Sequence, residues 1–350
     1  MYWTLVILCL AIWSGISGFG NTAVNGLHYS GAATFDQGTG ELKFVSSGTI
    51  QDPVLKKTYS KSETVDGYLL DASYNVYCVP TNVKKIVIGK NVQVKGRFDV
   101  RSDLIIEGED RKTSVIYGTD DLRYSHNRGD VYGAQWDTPW SYSAINVTST
   151  ATVYVDNLTV KNPYGYCISG YAKNAVIHCS KVNMIDDRGG DQNNSDGFFG
   201  QDGSSLKDVY ICTGDDSIKA YHDLTMTNVE IVMQHNGAPI QFGWNADDDC
   251  DAEIVINNLT IKTKDDIRSY NRGVFSWMSD SNKKTINVTA DKVFIDVPFA
   301  KLYELNTPYG TLNMTLNHAY INTKRSGEWK PKGEAKITNK ITSKKSFEAD

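Results

Sequence analysis

The chain has 350 residues, of which 40% are apolar and 22% are charged, and only 8 are proline. This composition is typical of a folded globular protein and excludes collagen-like and disordered chains. The 36 basic and 41 acidic residues give a net charge of -5. The chain therefore lacks the positive excess of proteins that bind nucleic acid or an anionic membrane, and we expect neither partner.

Residues 1–20 are predicted to be a secretory signal peptide. An apolar run from Tyr2 to Trp13 contains no charged side chain and is followed by small residues suited to cleavage near Ser17 or Gly20. The run is shorter than the roughly 20 residues that span a bilayer, which argues against a membrane anchor. We therefore expect a secreted, extracellular protein.

Two further features agree with a secretory route. Six glycosylation sequons fit a glycoprotein, and they begin at Asn146, Asn157, Asn193, Asn258, Asn287 and Asn313. Removal of the signal leaves five cysteines, an odd number whose pairing the sequence does not determine.

No Cys or His spacing suits a zinc site. We expect a monomer without a cofactor.

From about Lys84 onward, the chain consists of short segments in which apolar and polar residues alternate, separated by Gly, Asn and Asp. This pattern predicts β-strands joined by turns. A central apolar residue recurs at spacings of 24, 27, 20, 30, 34 and 26 residues. The aligned residues are Leu158, Val182, Val209, Val229, Leu259, Val293 and Ala319. The chain is therefore a repeat.

A repeat of strands and turns with this period predicts an all-β fold, a right-handed parallel β-helix in which each coil adds one strand to each of several sheets. An antiparallel sandwich is the alternative, but most strands are not separated by Asn-Gly or Asp-Gly hairpin turns. We predict a small N-terminal β cap or first coils over residues 21–75 and the β-helix over 76–322. Residues 323–350 are predicted to be a basic C-terminal cap or tail.

Aspartate is concentrated in one part of the repeat, with nine Asp in the 38 residues from Asp186 to Asp223. Asp196 in the phrase NSDG precedes Asp215 and Asp216 by 19 and 20 residues. Because this is about one coil, the three carboxylates are expected to stack on one face. Neighbours in an ideal strand point to opposite faces, so Asp215 and Asp216 both reach a cleft only where the strand ends or bulges.

Three crowded carboxylates repel one another, so at least one keeps its proton to higher pH while the others ionise. An acid and a base side by side are what hydrolysis of a glycosidic bond requires. Two other interpretations are open. Asp-rich segments also form turns, and Asp191, Asn193 and Ser195 have the alternating oxygen ligands of a calcium loop, although the glycine of such a loop is replaced by Asp196.

NSDG followed by GDD, with strand-like coils on both sides, resembles the signature of the secreted β-helical glycosidases related to polygalacturonases. It is most similar to glycoside hydrolase family 49, the dextranases and isopullulanases, over residues 75–320. The resemblance implies an endo-acting, inverting hydrolase of an α-glucan such as dextran, cleaved at α-1,6 linkages. It also implies that Asp215 is the general acid and that Asp196 and Asp216 hold and activate water.

Polygalacturonase-like sites also carry Gly-His-Gly and Arg-x-Lys phrases, whose cations bind a uronate, whereas the coils after Asp216 contain HNGAPIQFGWN. This difference favours a neutral α-glucan over pectin. Four residues are predicted to bind substrate. Lys219 binds a hydroxyl and tunes the carboxylates, Trp244 stacks on a sugar ring, and Gln241 and Asn245 offer hydrogen bonds.

Two alternative functions remain open at this point. One is a polygalacturonase-like hydrolase of another polysaccharide. The other is a non-catalytic carbohydrate-binding β-helix protein, but binding a neutral sugar does not need three carboxylates that repel one another.

Overall fold

The computed structural model describes residues 22–51, 64–65, 68–69, 76–120, 143–189, 193–245 and 249–342. These residues form strands, turns and bends, and none of them is helical. Among them there is accordingly no helix long and apolar enough to cross a membrane. The predicted signal peptide lies outside the described residues and stays a prediction.

Twenty-eight strands join in one extended, mostly parallel sheet that winds around a common interior. In each coil the chain passes through three columns of strands in turn. This arrangement is a parallel β-helix, and it confirms the predicted fold class.

The first column begins with five short strands, Glu41–Phe44, Lys85–Ile88, Leu104–Gly108, Ala151–Asp156 and Ala175–Ser180. It continues through the first parts of five long strands, which are Ser204–Cys212, Leu224–Met233, Ala252–Thr263, Thr285–Asn306 and Thr311–Trp329. It ends with Lys332–Ile337. The second consists of Gly48–Gln51, Gln93–Lys95, Val115–Tyr117, Thr159–Lys161, Asn183–Ile185, the later parts of the same five long strands, and Ile341–Thr342.

The third column consists of Val76–Cys78, Arg97–Val100, Ile145–Val147, Ile168–Ser169, Phe198–Phe199, Ile218–Lys219, Ile240–Trp244, Phe275–Met278 and the ends of the two longest strands. The remaining strands pair in antiparallel fashion at the N-terminal end, and they are Thr22–Val24, Leu27–Tyr29, Ala33–Asp36, Thr64–Val65 and Tyr68–Leu69.

The register of the second column reproduces the sequence repeat. Val209 pairs with Val229, which pairs with Leu259, and the row continues through Val293 to Ala319. All five side chains are buried in the interior. Each spacing in the sequence is therefore the length of one coil, and the spacings differ because coils carry loops of different length.

The corner before this row explains why the repeat is rich in asparagine. The residue preceding each aligned apolar position has a positive φ, and these residues are Asn157, Lys181, Asp208, Asn228, Asn258, Lys292 and His318. Asparagine and aspartate adopt the left-handed conformation more readily than most residues because their short side chains bond locally. The asparagines also form a ladder, in which the Asn228 amide donates to Asp208 at 2.8 Å and accepts from Asn258 at 3.0 Å.

Apolar side chains fill the interior from end to end and form one continuous cluster. Phe242 and Phe275, on successive coils of the third column, stack with parallel rings 6.2 Å apart, and Trp277 is fully buried beside them. Because each coil covers the apolar face of the next, no coil can bury its interior side chains alone.

The parallel coils extend beyond residues 76–322. At one end Glu41–Phe44 pairs with Lys85–Ile88, and at the other Thr311–Trp329 runs across residue 322 and pairs with Lys332–Ile337. Glu41–Phe44 and Gly48–Gln51 therefore belong to the same parallel coils.

Burial restricts modification of the folded chain. Asn146 and Asn193 of the predicted sequons are 6% and 0% exposed, so the folded chain leaves no room for a glycan at either side chain. Cys167, Cys179 and Cys212 are buried thiols, and removal from water raises the pKa of each.

The left-handed corner leads to a stability prediction. We expect Asn228→Ala to lower the free energy of unfolding by about 2 kcal/mol, because alanine strains the left-handed backbone and both ladder bonds are lost. Asn228→Gly loses the same bonds but accepts the backbone, and it should cost about 1 kcal/mol or less. Urea unfolding followed by circular dichroism measures both. Equal losses would show that the backbone conformation is not the cause.

Candidate active site

The three predicted aspartates meet on the outer surface at the start of the third column. Phe198 pairs with Ile218, and the Gly197 amide donates to the Asp216 carbonyl at 2.9 Å, so Asp196 and Asp216 are in register on adjacent coils. One carboxylate oxygen from each of Asp196, Asp215 and Asp216 lies within 4.8 Å of the other two. The expected stacking on one face is observed.

Asp215 and Asp216 are adjacent in sequence, yet both carboxylates reach the cluster. They lie in the bend between Cys212 and Ile218, before the third-column strand begins, so strand alternation does not separate them. The next coil leaves room for this bend at Gly237, which has a φ of 77°. A Cβ atom at Gly237 would lie 2.2 Å from the Asp215 carbonyl carbon, and only glycine fits there.

Asp216 is held by three donors. Its Oδ2 accepts from Lys219 Nζ at 2.7 Å and from Gln241 Nε2 at 2.5 Å, and its Oδ1 accepts from the Ala238 amide at 2.9 Å. Lys219 and Gln241 are paired neighbours on adjacent third-column strands. These donors fix the orientation of the Asp216 carboxylate.

Asp196 has a different environment. Burial and the nearby charge of Asp216 raise its pKa to about 7, although Lys219 and a hydrogen bond from Tyr166 act in the opposite direction. Its Oδ1 has no hydrogen-bond partner among the described residues, and Lys219 Nζ lies 3.9 Å from that oxygen. This oxygen is also buried, so the carboxylate of Asp196 is largely shielded from water.

Asp215 holds its proton more strongly. Desolvation and the charges of Asp216 and Asp196 raise its pKa well above the usual range, against the opposing charges of Lys219 and Arg272. Near neutral pH Asp196 is therefore partly ionised, while Asp215 has the greater tendency to keep its proton. An acid and a base are present in one place, which is the requirement for general acid–base catalysis.

Lys219 is the cation at the centre of the cluster. It is 9% exposed, and its Nζ also donates to Gln241 Oε1 at 3.1 Å. Burial alone would lower the pKa of this ammonium, but the carboxylates of Asp196 and Asp216 outweigh burial and raise it. Lys219 Nζ lies 2.7 Å from Asp216 Oδ2, so a cation of the chain itself already pairs with this carboxylate. In the alternative calcium loop, Asp191 lies outside the described residues.

Trp244 and Asn245, the other two predicted binding residues, lie further along the Gln241 strand. Trp244 is 36% exposed, and the Arg272 guanidinium lies over its ring, 4.8 Å from the ring centroid. Asn245 is exposed with a φ of 57°, and its backbone amide donates to the Met278 carbonyl at 2.8 Å. The structure thus brings Lys219 and Gln241 to the carboxylates and places Trp244 beside Arg272, but it shows no contact between the Asn245 side chain and the cluster.

Sequence reasoning missed three residues of the site. Tyr221 donates a hydrogen bond to Gln241 Oε1, the ring of Tyr166 lies 5.6 Å from Lys219 Nζ, and Arg272 acts on Asp215. Tyr221 follows Lys219 by two residues and so shares its strand face, a signal present in the sequence. Tyr166 and Arg272 come from other coils, and only the coil register brings them close.

A cavity of about 380 Å³ adjoins the cluster at the other end of the third-column strands. Tyr171, Phe199 and Tyr221 form its aromatic wall, and Gln201 and His222 add polar groups. Tyr221 lines this cavity and also donates to Gln241 in the carboxylate network.

No family model matches the chain, but comparison with known proteins finds similarity to a curated protein and to solved structures. The chain is 24% identical over 173 residues to a dextranase from Arthrobacter sp. (strain CB-8), covering 47% of this chain and 27% of that protein. It resembles the solved structure of Dex49A from Penicillium minioluteum with a TM-score of 0.54 and 17% identity, over 77% of this chain and 48% of that one.

These comparisons confirm, at low identity, the predicted relationship to the dextranase-like proteins of glycoside hydrolase family 49. The structural likeness confirms the fold. The chain spans less than half of the length of either protein, with coverages of 27% and 48%.

The raised pKa of Asp196 predicts a pH-dependent cost to folding. Its pKa rises from 3.8 to about 7 in the folded chain, so the folded state binds the proton more tightly and stability falls as the pH rises between these values. Asp196→Asn removes the ionisation. We expect nearly equal stability of variant and wild type at pH 4, and a variant more stable on the order of 4 kcal/mol at pH 8.

Urea unfolding at the two pH values measures this difference, and Asp280→Asn, at an exposed position, is the matched control without a pH-dependent effect. A wild type more stable than Asp196→Asn at pH 8 would show that the ionised carboxylate stabilises the fold.

Proposed function

We propose that this chain is a secreted, endo-acting glycoside hydrolase that cleaves an α-glucan such as dextran, at α-1,6 linkages, with inversion and without a cofactor. The observation that carries the proposal is the cluster of Asp196, Asp215 and Asp216, in which the pKa of Asp215 is raised well above its usual range and that of Asp196 to about 7. The similarity to a dextranase supports the substrate class.

In the proposed reaction, Asp215 gives its proton to the glycosidic oxygen as the bond to the anomeric carbon breaks. Asp196, whose pKa is raised to about 7, accepts a proton from the attacking water. Asp216, held by Lys219 and Gln241, orients that water and stabilises the developing positive charge on the sugar. A later exchange of protons with solvent restores both carboxyl groups.

The spacing of the carboxylates does not by itself decide whether hydrolysis inverts or retains the configuration of the anomeric carbon. Their nearest oxygens lie within 4.8 Å, whereas the carboxyl groups of inverting glycosidases are typically about 6.5–9.5 Å apart and those of retaining enzymes about 5–5.5 Å. We favour inversion because Asp216 already accepts three hydrogen bonds, which makes it a poor nucleophile but a good holder of water.

Charge supports a neutral substrate. Three carboxylates face Lys219, and the second cation, Arg272, is paired with Glu304 at 3.5 Å. Among the described residues, an anionic sugar would therefore find both cations of the site already paired with carboxylates. The presence of Lys219 and Arg272 beside the carboxylates is nevertheless the specific observation that favours the second candidate, a polygalacturonase-like hydrolase.

The central prediction is that Asp215→Asn lowers kcat on dextran by about 10³-fold, because the proton donor is lost. Reducing-sugar release from dextran, pullulan and polygalacturonate by the purified protein measures this, with Asp280→Asn as the control that keeps wild-type activity. Cleavage of polygalacturonate alone would overturn the α-glucan substrate. Glucan binding without turnover in the wild type would make the chain a carbohydrate-binding protein.

The stereochemical prediction is that dextran hydrolysis first releases the β-anomer of the new reducing end, because water attacks the face opposite the leaving oxygen. Proton NMR of the anomeric signals in the first minutes of hydrolysis, before mutarotation, distinguishes the two anomers. Initial release of the α-anomer would show retention and would make one of the closely spaced carboxylates a nucleophile.

A further inference from the structure

Arg272 lies at the edge of the carboxylate cluster, on the coil beyond Gly237. The Gly237 amide donates to Asn271 Oδ1 at 3.0 Å. Gly237 in turn lies directly against Asp215, since a Cβ atom there would be 2.5 Å from Asp215 Oδ1. Asp215, Gly237 and the segment that carries Arg272 are therefore neighbours on three successive coils.

Two contacts hold the Arg272 side chain in place. Its Nη1 lies 3.5 Å from Glu304 Oε1, and the neighbouring Gly273 amide donates to Glu304 Oε2 at 3.2 Å. Its guanidinium carbon lies 4.8 Å from the centroid of the Trp244 ring. Glu304 thus anchors a planar cation against the aromatic ring, an arrangement that fixes the orientation of both side chains.

Trp244 lies on the same strand as a residue that binds the carboxylate cluster. It follows Gln241, which binds Asp216, and the strand bulges between Gln241 and Trp244. The ring is 36% exposed although Arg272 lies over it. Exposed indole surface beside a carboxylate cluster suits stacking on the apolar face of a pyranose ring.

We propose that Arg272 is a positioning residue: it holds Trp244 in the orientation that receives a neutral sugar ring, and its positive charge beside Asp215 makes that carboxylic acid a better proton donor. The proposal rests on the proposed function of the same site. The two effects need different properties of the side chain, because stacking depends on the planar guanidinium while the action on Asp215 depends only on charge.

The charged groups that act on Asp215 are Asp216, Asp196, Lys219 and Arg272. The first two raise its pKa, and the two cations lower it. Lys219 is already bonded to Asp216, so Arg272 is the cation whose removal changes Asp215 without breaking the Asp216 network. Glu304 reduces the effect of Arg272 by pairing with it.

The test compares Arg272→Lys, which keeps the charge, with Arg272→Gln, which removes it. On dextran we expect KM to rise about 3- to 10-fold in both variants, because neither holds Trp244 by stacking. The alkaline limb of the kcat/KM profile should move up by about half to one pH unit in Arg272→Gln only, since the acid then loses its proton later. Arg268→Gln is the matched control, because Arg268 packs on Phe299 in the same way outside the cluster.

An unchanged KM in both variants would overturn the stacking role. A limb that moves equally in both, or in neither, would overturn the charge role. Should the wild type cleave no glucan, the proposed function fails, but carbon-13 NMR titration of the Asp215 carboxyl, assigned with Asp215→Asn, still decides the charge role. That titration must show a higher pKa in Arg272→Gln than in wild type and Arg272→Lys. Circular dichroism of each variant verifies the fold.

Discussion

In-register stacking of parallel coils is the constraint on which the rest of the structure depends. Neighbouring strands in a sheet are about 4.8 Å apart, so any residue type that recurs at one register position is repeated along the molecule at that spacing. For apolar residues such as Val209 and Val229 the result is a continuous interior. For Asp196 and Asp216 the result is two carboxylates forced together on the outside.

The repulsion among these crowded carboxylates is the basis of the proposed acid–base chemistry. Carboxylates at such a distance cannot all ionise while they are shielded from water, so the environment of each decides which one holds a proton. Lys219 and Gln241 supply hydrogen bonds to Asp216, whereas Asp215 receives mainly desolvation and repulsion. Three chemically identical side chains thereby acquire different protonation states and different proposed roles.

Much of the site could be predicted because the chemistry lies within one coil and its neighbours. Asp196, Asp215, Asp216 and Lys219 are separated by about one coil length or less, and a known period is enough to place them on one face. Gln241 followed from the same period. The sequence showed that adjacent Asp215 and Asp216 reach one cluster only if the strand ends or bends there, but it did not show that it does. The bend depends on the glycine that the next coil places against it.

The sequence by itself determined the β-helix, its period and the acidic coil, since alternation, turn residues and spacing are local properties of the chain. Only the tertiary structure decided which distant residues complete the site. Arg272 follows Asp215 by 57 residues and belongs to the coil with the longest spacing, the 34 residues between Leu259 and Val293. Because the loops differ in length, the number of residues between two positions does not tell how many coils separate them, and the sequence alone does not identify such a neighbour.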